Sequence, residues 1–314
     1  MKNKYSKEKK LLKQMKYSLL LLLGAAIWGA AFVAQRAGMG ALGPFTFSGI
    51  RMLLGGFVMI PVSLWSRKQT GSAYGTSAEA RRTQRIAGLL CGLFLFAATS
   101  LQQVALVNTS AGKAGFITAL YVVLVPVAGF LLFGARPGRM VWLGVALSVV
   151  ALYLLCVPAS GFQVEPSDWM LIGCALCFTG QILSIDRFAS RVDAATLARD
   201  EFLVTGALSM LIALATEEIT WQGIRAAMIP ILYTGILSSA VGYTLQIVGQ
   251  KHVNPTLASL IMCLESVFAV LTGALILHET LTLRESIGSV LMFLAVVLAQ
   301  LSPMLEKRKG SEQV

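Results

Sequence analysis

Residues 111–134 read AGKAGFITALYVVLVPVAGFLLFG, and residues 254–277 read NPTLASLIMCLESVFAVLTGALIL. Each run carries a single charged side chain, Lys113 in the first and Glu265 in the second. A helix crosses a bilayer with about 20 mostly apolar residues, so each run is long enough to span. A shift of 144 residues lays the first on the second. Ile117 meets Ile261, Leu120 meets Leu264 and Gly129 meets Gly273; further along, Gly144 meets Gly288 and Ala151 meets Ala295. Apolar coincidences are common in such a composition, so the glycines carry most of the weight.

Eight more runs of the same kind occupy 17–36, 44–65, 86–107, 138–157, 167–187, 195–216, 226–249 and 283–303, which makes ten. The run at 195–216 is the weakest, because Arg199, Asp200 and Glu201 stand near its start. A second shift, of 150 residues, relates the early runs: Leu21 to Leu171, Ala25 to Ala175, Trp28 to Phe178 and Gly56 to Gly206. Two units of five spans follow. An odd number of spans forces the second unit to enter the membrane from the opposite side, which is a recurrent plan for secondary transporters with a midplane site. The expected fold is therefore all-α and integral to the membrane, with ten transmembrane helices as two inverted five-helix repeats around a central cavity. The units are 17–157 and 167–303, flanked by a basic segment 1–16 and a tail 304–314.

Composition agrees. Of 314 residues, 56% are hydrophobic and 13% charged, against roughly 25% charged in a soluble domain. Mean hydropathy is +0.73. A soluble chain of this length could not hide so much apolar surface. The net charge of +11 does not indicate nucleic acid, because the basic residues are placed as membrane topology requires. Seven lysines lie within the first sixteen residues (the last of them Lys16), and segment 66–85 holds Arg67, Lys68, Arg81, Arg82 and Arg85. With the N-terminus cytoplasmic, twenty-one lysines and arginines fall inside; Arg36, Lys113, Arg225 and Arg284 fall outside, and Arg51 lies within a span. Cytoplasmic loops are enriched in Lys and Arg, so both termini are expected in the cytoplasm and the protein in the cell (inner) membrane. The N-terminus resembles a signal peptide but reads as an uncleaved first span, since similar runs follow.

Small residues supply flat helix faces: Gly88 and Gly92 form a GxxxG, and Ala26, Ala30 and Ala34 form a stripe. Such faces let helix backbones approach in lipid. The five cysteines all lie in apolar runs. Cys174 and Cys177 make a CxxC, but no second pair or histidine cluster accompanies it as a zinc site would require. His252 and His278 stand near span ends. No GxxxxGK[ST], HExxH or GxSxG occurs, so ATP hydrolysis and the common hydrolytic motifs are not indicated.

Local residues resemble the drug/metabolite transporter superfamily, in its ten-helix EamA-type branch. The first span carries Ala25-Ala26-Ile27-Trp28-Gly29-Ala30, and the second has Arg51 before Met52-Leu53-Leu54. The fourth has Thr118-Ala119-Leu120-Tyr121 and ends its motif at Pro126. The ninth has Leu264-Glu265-Ser266-Val267-Phe268-Ala269, where the family has Leu-Glu-Pro-Val-Phe-Ala, and it closes on His278-Glu279 in place of Gly-Glu. The likeness covers roughly 17–303. It implies a basket of ten helices that moves amino acids, other metabolites or drugs by alternating access, often outward. No cofactor is expected; a proton or sodium gradient is the candidate energy source. The expected partners are a small-molecule substrate and the bilayer, with the chain acting as a monomer or homodimer. An intramembrane enzyme would need a convergent catalytic set, and a receptor or regulatory subunit a partner-binding domain; neither is found in the sequence.

Ionisable groups within spans are candidates for function. Glu265, mid-span, is the candidate for proton coupling or for binding a substrate amine. Trp28, Tyr121 and Tyr243 with Gln103 and Gln181 give the mostly apolar, sparsely polar wall that a metabolite pocket needs. Arg51 and Glu201 match under the 150-residue shift. They are read as gating or structural charges that approach from opposite faces and do not touch. Lys113 is expected to snorkel to the headgroups.

Overall fold

A computed structural model describes residues 2–70, 77–109, 111–157, 164–276 and 282–311. Among these, every regular element is helical. The helices are α1 (Lys2–Met39), α2 (Pro44–Thr70), α3 (Ala78–Asn108), α4 (Ala111–Ala119 and Tyr121–Phe133), α5 (Arg139–Cys156) and α6 (Pro166–Phe188). Then follow α7 (Ala194–Thr216), a short lead-in helix Trp221–Ala226, α8 (Met228–Gln250), α9 (Pro255–Met262 and Glu265–Ile276) and α10 (Leu283–Ser311). Among the described residues nine helices are long and apolar enough to span a membrane. The tenth, α7, is as long as its neighbours at 23 residues, but Arg199, Asp200 and Glu201 lower its apolar character. The basic N-terminal segment continues α1, and within segment 66–85 the described residues other than Ser77 are helical, because α2 runs to Thr70 and α3 starts at Ala78. His278 and Glu279 lie outside the described residues.

Residue chemistry sets the helix ends. Ser77 caps α3, Asp193 caps α7, and Asn254 caps α9 ahead of Pro255. Each accepts a bond from a backbone N–H that the helix itself leaves unpaired. Gly134 ends α4 at φ 64°, a left-handed conformation that favours glycine.

The two five-helix units meet through reciprocal contacts, as a pseudo-two-fold axis requires. A Cβ on Gly144 of α5 would lie 3.0 Å from the Ala295 carbonyl oxygen of α10; a Cβ on Gly288 of α10 would lie 3.0 Å from the Ala151 carbonyl oxygen of α5. The 144-residue shift exchanges these two contacts. In the same way Gly56 of α2 meets Leu203 of α7, while Gly206 of α7 meets Leu53 of α2, and the 150-residue shift exchanges them. Thus α2 pairs with α7 and α5 with α10, each with its own counterpart.

The ends of α2 and α7 are tied to each other. At the start of α2, Gly43 has no side chain and Pro44 has no N–H. The orphan N–H groups of Phe45 and Thr46 donate to the Glu217 carboxylate, at 2.8 and 2.7 Å, from the far end of α7. A Cβ on Gly43 would collide with that carboxylate. At the opposite end, Ser66 in the last turns of α2 donates to Asp193, the cap of α7. A borrowed carboxylate at a helix N-terminus contributes about 1–2 kcal/mol. Glu217→Ala is therefore expected to lower the thermal midpoint of the detergent-solubilised protein, while Glu218→Ala at the exposed neighbour leaves it in place.

Candidate functional site

Both α4 and α9 break in mid-run, at equivalent residues. Leu120 N–H donates to the Ile117 carbonyl at 3.2 Å, and Leu264 N–H donates to the Ile261 carbonyl at 3.1 Å. These are i→i−3 bonds, tighter than the α-helical i→i−4 pattern, and the 144-residue shift superposes them. Proline is not the cause. Pro126 lies well inside the second piece of α4, and α9 breaks ahead of Ser266, which stands in the family's proline position. The breaks face one another. Cys263 Sγ donates to the Ala119 carbonyl at 3.5 Å, and Tyr121 Oη donates to Glu265 Oε1 at 3.4 Å. Each pair joins residues 144 apart, so the pseudo-two-fold axis passes between them.

Beside these breaks lies a cavity. Trp28 of α1, Tyr121 of α4, Phe178 of α6 and Tyr243 of α8 form its aromatic wall. Trp28 and Tyr243 rings stand 4.9 Å apart, centroid to centroid. Trp28 Nε1 also donates to the Ser238 carbonyl at 3.1 Å, inside an eleven-residue π-helix, Tyr233–Tyr243, that widens the middle of α8. Such widened turns recur at functional sites. Tyr233 Oη adds a bond to the Ile27 carbonyl at 3.0 Å, which completes the α1–α8 seam.

Between the aromatic and apolar residues the wall carries polar ones. Arg51 and Glu265 are the ionisable pair of opposite sign; Gln35, Gln102, Thr118, Ser238 and Gln246 are neutral. Arg51 is 2% exposed, with its guanidinium carbon 5.9 Å from the Phe47 ring centroid and its Nε without a partner among the described residues.

Of the residues read from the sequence as pocket lining, Trp28, Tyr121, Tyr243 and Glu265 line the cavity. Gln103 and Gln181 do not. Gln103 is fully buried and its amide meets no described partner. Its neighbour Gln102, turned about 100° around the helix, faces the cavity and donates to Thr118 Oγ1 at 3.4 Å. Gln181 points away from the cavity and donates to Glu201 Oε1 at 3.0 Å. Arg51, read as a gating charge, lies in the cavity wall, while Glu201 is fully buried outside it. Among the described residues no ion pair joins the two. Lys113 does not reach for headgroups: its ammonium lies 3.2 Å from Glu165 and 3.1 Å from Asp168 at the start of α6. All five cysteines are free thiols.

The EamA-like transporter family matches residues 15–157 and again residues 166–301. The chain belongs to that family. The two matches coincide with the two five-helix units. Among its relatives, an uncharacterized transporter of Archaeoglobus fulgidus is 28% identical over 92% of this chain and 87% of its own. A WAT1-related chloroplastic protein of Arabidopsis thaliana is 26% identical over 86% of this chain and 66% of its own. The uncharacterized inner membrane transporter YedA of Escherichia coli is 25% identical over 91% and 93%. A solved crystal structure with 20% identity superposes with a TM-score of 0.77, covering 93% of this chain and 99% of the other, which shows the shared fold. This EamA-like protein is a multi-pass membrane transporter and not an enzyme. Its cavity presents aromatic faces, one basic and one acidic side chain beside the paired helix breaks.

Proposed function

We propose that this transporter moves a small, zwitterionic, amino-acid-like solute out of the cell by alternating access. The observation that carries the reading is the placement of Arg51 and Glu265 in the wall of one aromatic-lined cavity. A solute that carries both a carboxylate and an amine can satisfy both charges at once. Arg51 supplies the planar fork that matches a carboxylate; Glu265, held by Tyr121, receives the ammonium. A solute with only one charge would leave the other group buried and unpaired, at a cost of several kcal/mol. The Trp28 and Tyr243 faces hold the apolar remainder.

Charge bias supports an inner-membrane protein with both termini in the cytoplasm. In that orientation Gln35 and Arg51 lie toward the outer ends of α1 and α2, and the cavity reaches from the midplane toward the outside. The test is counterflow in liposomes containing the purified protein. With an unlabelled amino-acid mixture inside, at least one labelled amino acid added outside is expected to accumulate transiently above protein-free liposomes. No accumulation of any amino acid, with accumulation of a labelled monovalent organic cation instead, overturns the zwitterion.

A further inference from the structure

Beneath the cavity floor, three buried side chains form a directed chain of hydrogen bonds. Gln246 Nε2 donates to Gln181 Oε1 at 3.1 Å, and Gln181 Nε2 donates to Glu201 Oε1 at 3.0 Å. Gln246 is the member that lines the cavity. At the other end Glu201 is fully buried, and its Oε2 has no partner among the described residues; nor does Oε1 of Gln246. An ionised carboxylate only accepts, so it fixes the sense of the chain: both amides point their NH₂ groups toward Glu201, and the oxygen of Gln246 is left over.

We propose that Glu201 is a proton-binding site that reads out into the cavity through Gln181 and Gln246, so that its charge sets whether the cavity floor offers a solute an acceptor or a donor. The chemistry is a single proton transfer. A hydronium ion gives its proton to a Glu201 oxygen, forming an O–H bond and a neutral carboxylic acid, and water is released; the reverse step discharges it. The neutral acid is a donor. Glu201 then donates to Gln181 Oε1 once that amide turns over, Gln181 Nε2 donates to Gln246 Oε1, and the Gln246 NH₂ takes the unpartnered place that Oε1 held. One proton thereby reverses two amides and changes the hydrogen-bonding character of the floor without moving a helix.

The surroundings suit such a role. The titratable groups that face Glu201 are Cys91 from α3 and Tyr243 from α8; Gln181 faces it from α6. On its own helix Arg199 and Asp200 pair with each other at 2.6 Å. From α2, Arg51 lies beside Tyr243 on the cavity side, and Arg67 and Lys68 are exposed at the far end. Among the described residues no cation pairs with Glu201. Repeat symmetry supplies the route to water. Glu201 is the counterpart of Arg51, which faces the cavity. If the two units exchange conformations, as inverted repeats do in alternating access, the position of Glu201 becomes the exposed one. This route rests on the transport reading; the proton site itself does not.

The test is infrared difference spectroscopy of the protein in liposomes, with no solute, between acid and alkaline buffers. A protonated-carboxyl C=O band is expected to vanish with rising pH. It is absent in Glu201→Gln, displaced in frequency in Glu201→Asp, and present in Glu265→Gln. In Gln181→Leu the pH midpoint of the band moves by roughly one pH unit or more, since a hydrogen bond to a charged group is lost. A Glu201→Gln spectrum like that of the wild type overturns the proposal, as does a Glu201 band that persists at every pH. Loss of the band on adding sodium at constant pH assigns the site to a metal cation instead and overturns the proton. An unmoved midpoint in Gln181→Leu overturns the readout. Because no solute is used, a negative spectrum leaves the transport reading standing. A chain that titrates but carries no solute overturns the transport reading alone.

Discussion

Arg51→Ala abolishes useful binding of the carried solute while the protein stays folded. Removing one partner of a buried, hydrogen-bonded charge pair costs about 2–5 kcal/mol, and every 1.4 kcal/mol is tenfold. The expected rise in KM is therefore at least ~30-fold. Arg51→Lys restores the charge but not the two-pronged geometry, so it recovers the KM in part. The comparison is made by counterflow with the solute that the wild type accumulates. Equal KM values for wild type and Arg51→Ala would remove the carboxylate-binding role and leave Arg51 as a structural cation. Arg51 packs against Phe47 but forms no ion pair among the described residues, so its removal leaves no carboxylate stranded.

Gly29→Ala, by contrast, strikes the fold. Gly29 lies where α1 crosses α9, directly against the break. A single added Cβ would come within 2.6 Å of the Glu265 carbonyl oxygen, 2.6 Å of Phe268 Cβ and 2.7 Å of Ala269 N. Two of those three atoms are backbone, and the third is fixed to it, so no side-chain rotation relieves the contact. Separating the helices costs about 3 kcal/mol, and the movement drags Glu265 away from Tyr121. The expected result is a markedly lower thermal midpoint and little monodisperse protein by size exclusion. Gly115→Ala is the control, because a Cβ there meets nothing within 4 Å. If Gly29→Ala melts with the wild type, the crossing is looser than described.

The spans were legible in the sequence because lipid enforces long, uninterrupted apolar runs, and the start of α2 and both ends of α6 and α7 fall close to the predicted boundaries. The helix breaks were not legible. Leu120 and Leu264 are ordinary helix formers, and the only proline near either break, Pro126, lies in the wrong place. What marks the breaks is their recurrence at the 144-residue shift, which requires knowing the geometry of one copy. The π-helix in α8 was hidden for a similar reason: Tyr233–Tyr243 has no composition that distinguishes it from an α-helical span. At the site, charge and aromatic character singled out Trp28, Tyr121, Tyr243 and Glu265, and these four side chains line the cavity. The glutamines were harder. Gln102 and Gln103 are adjacent, and one residue of rotation decides which faces the cavity. Gln35 and Gln246 were overlooked although each is a polar side chain within an apolar run, the same signal that singled out Gln181.

The contact of Tyr121 with Glu265 has a consequence for the ancestry of such a chain. If a five-helix chain were to pair with an identical copy, every side chain on the two-fold axis would face itself. A glutamate there would stand against a glutamate, and two like charges in a dry interior repel strongly; a tyrosine would stand against a tyrosine, with no carboxylate left to bind anything. Joining both halves in one polypeptide lets the two axial positions diverge, so that one becomes a hydroxyl donor and the other an acid. The same divergence separates Arg51 from Glu201. Covalent fusion thus allows a symmetric scaffold to hold an asymmetric binding site, with opposite charges in places that a homodimer could only fill alike.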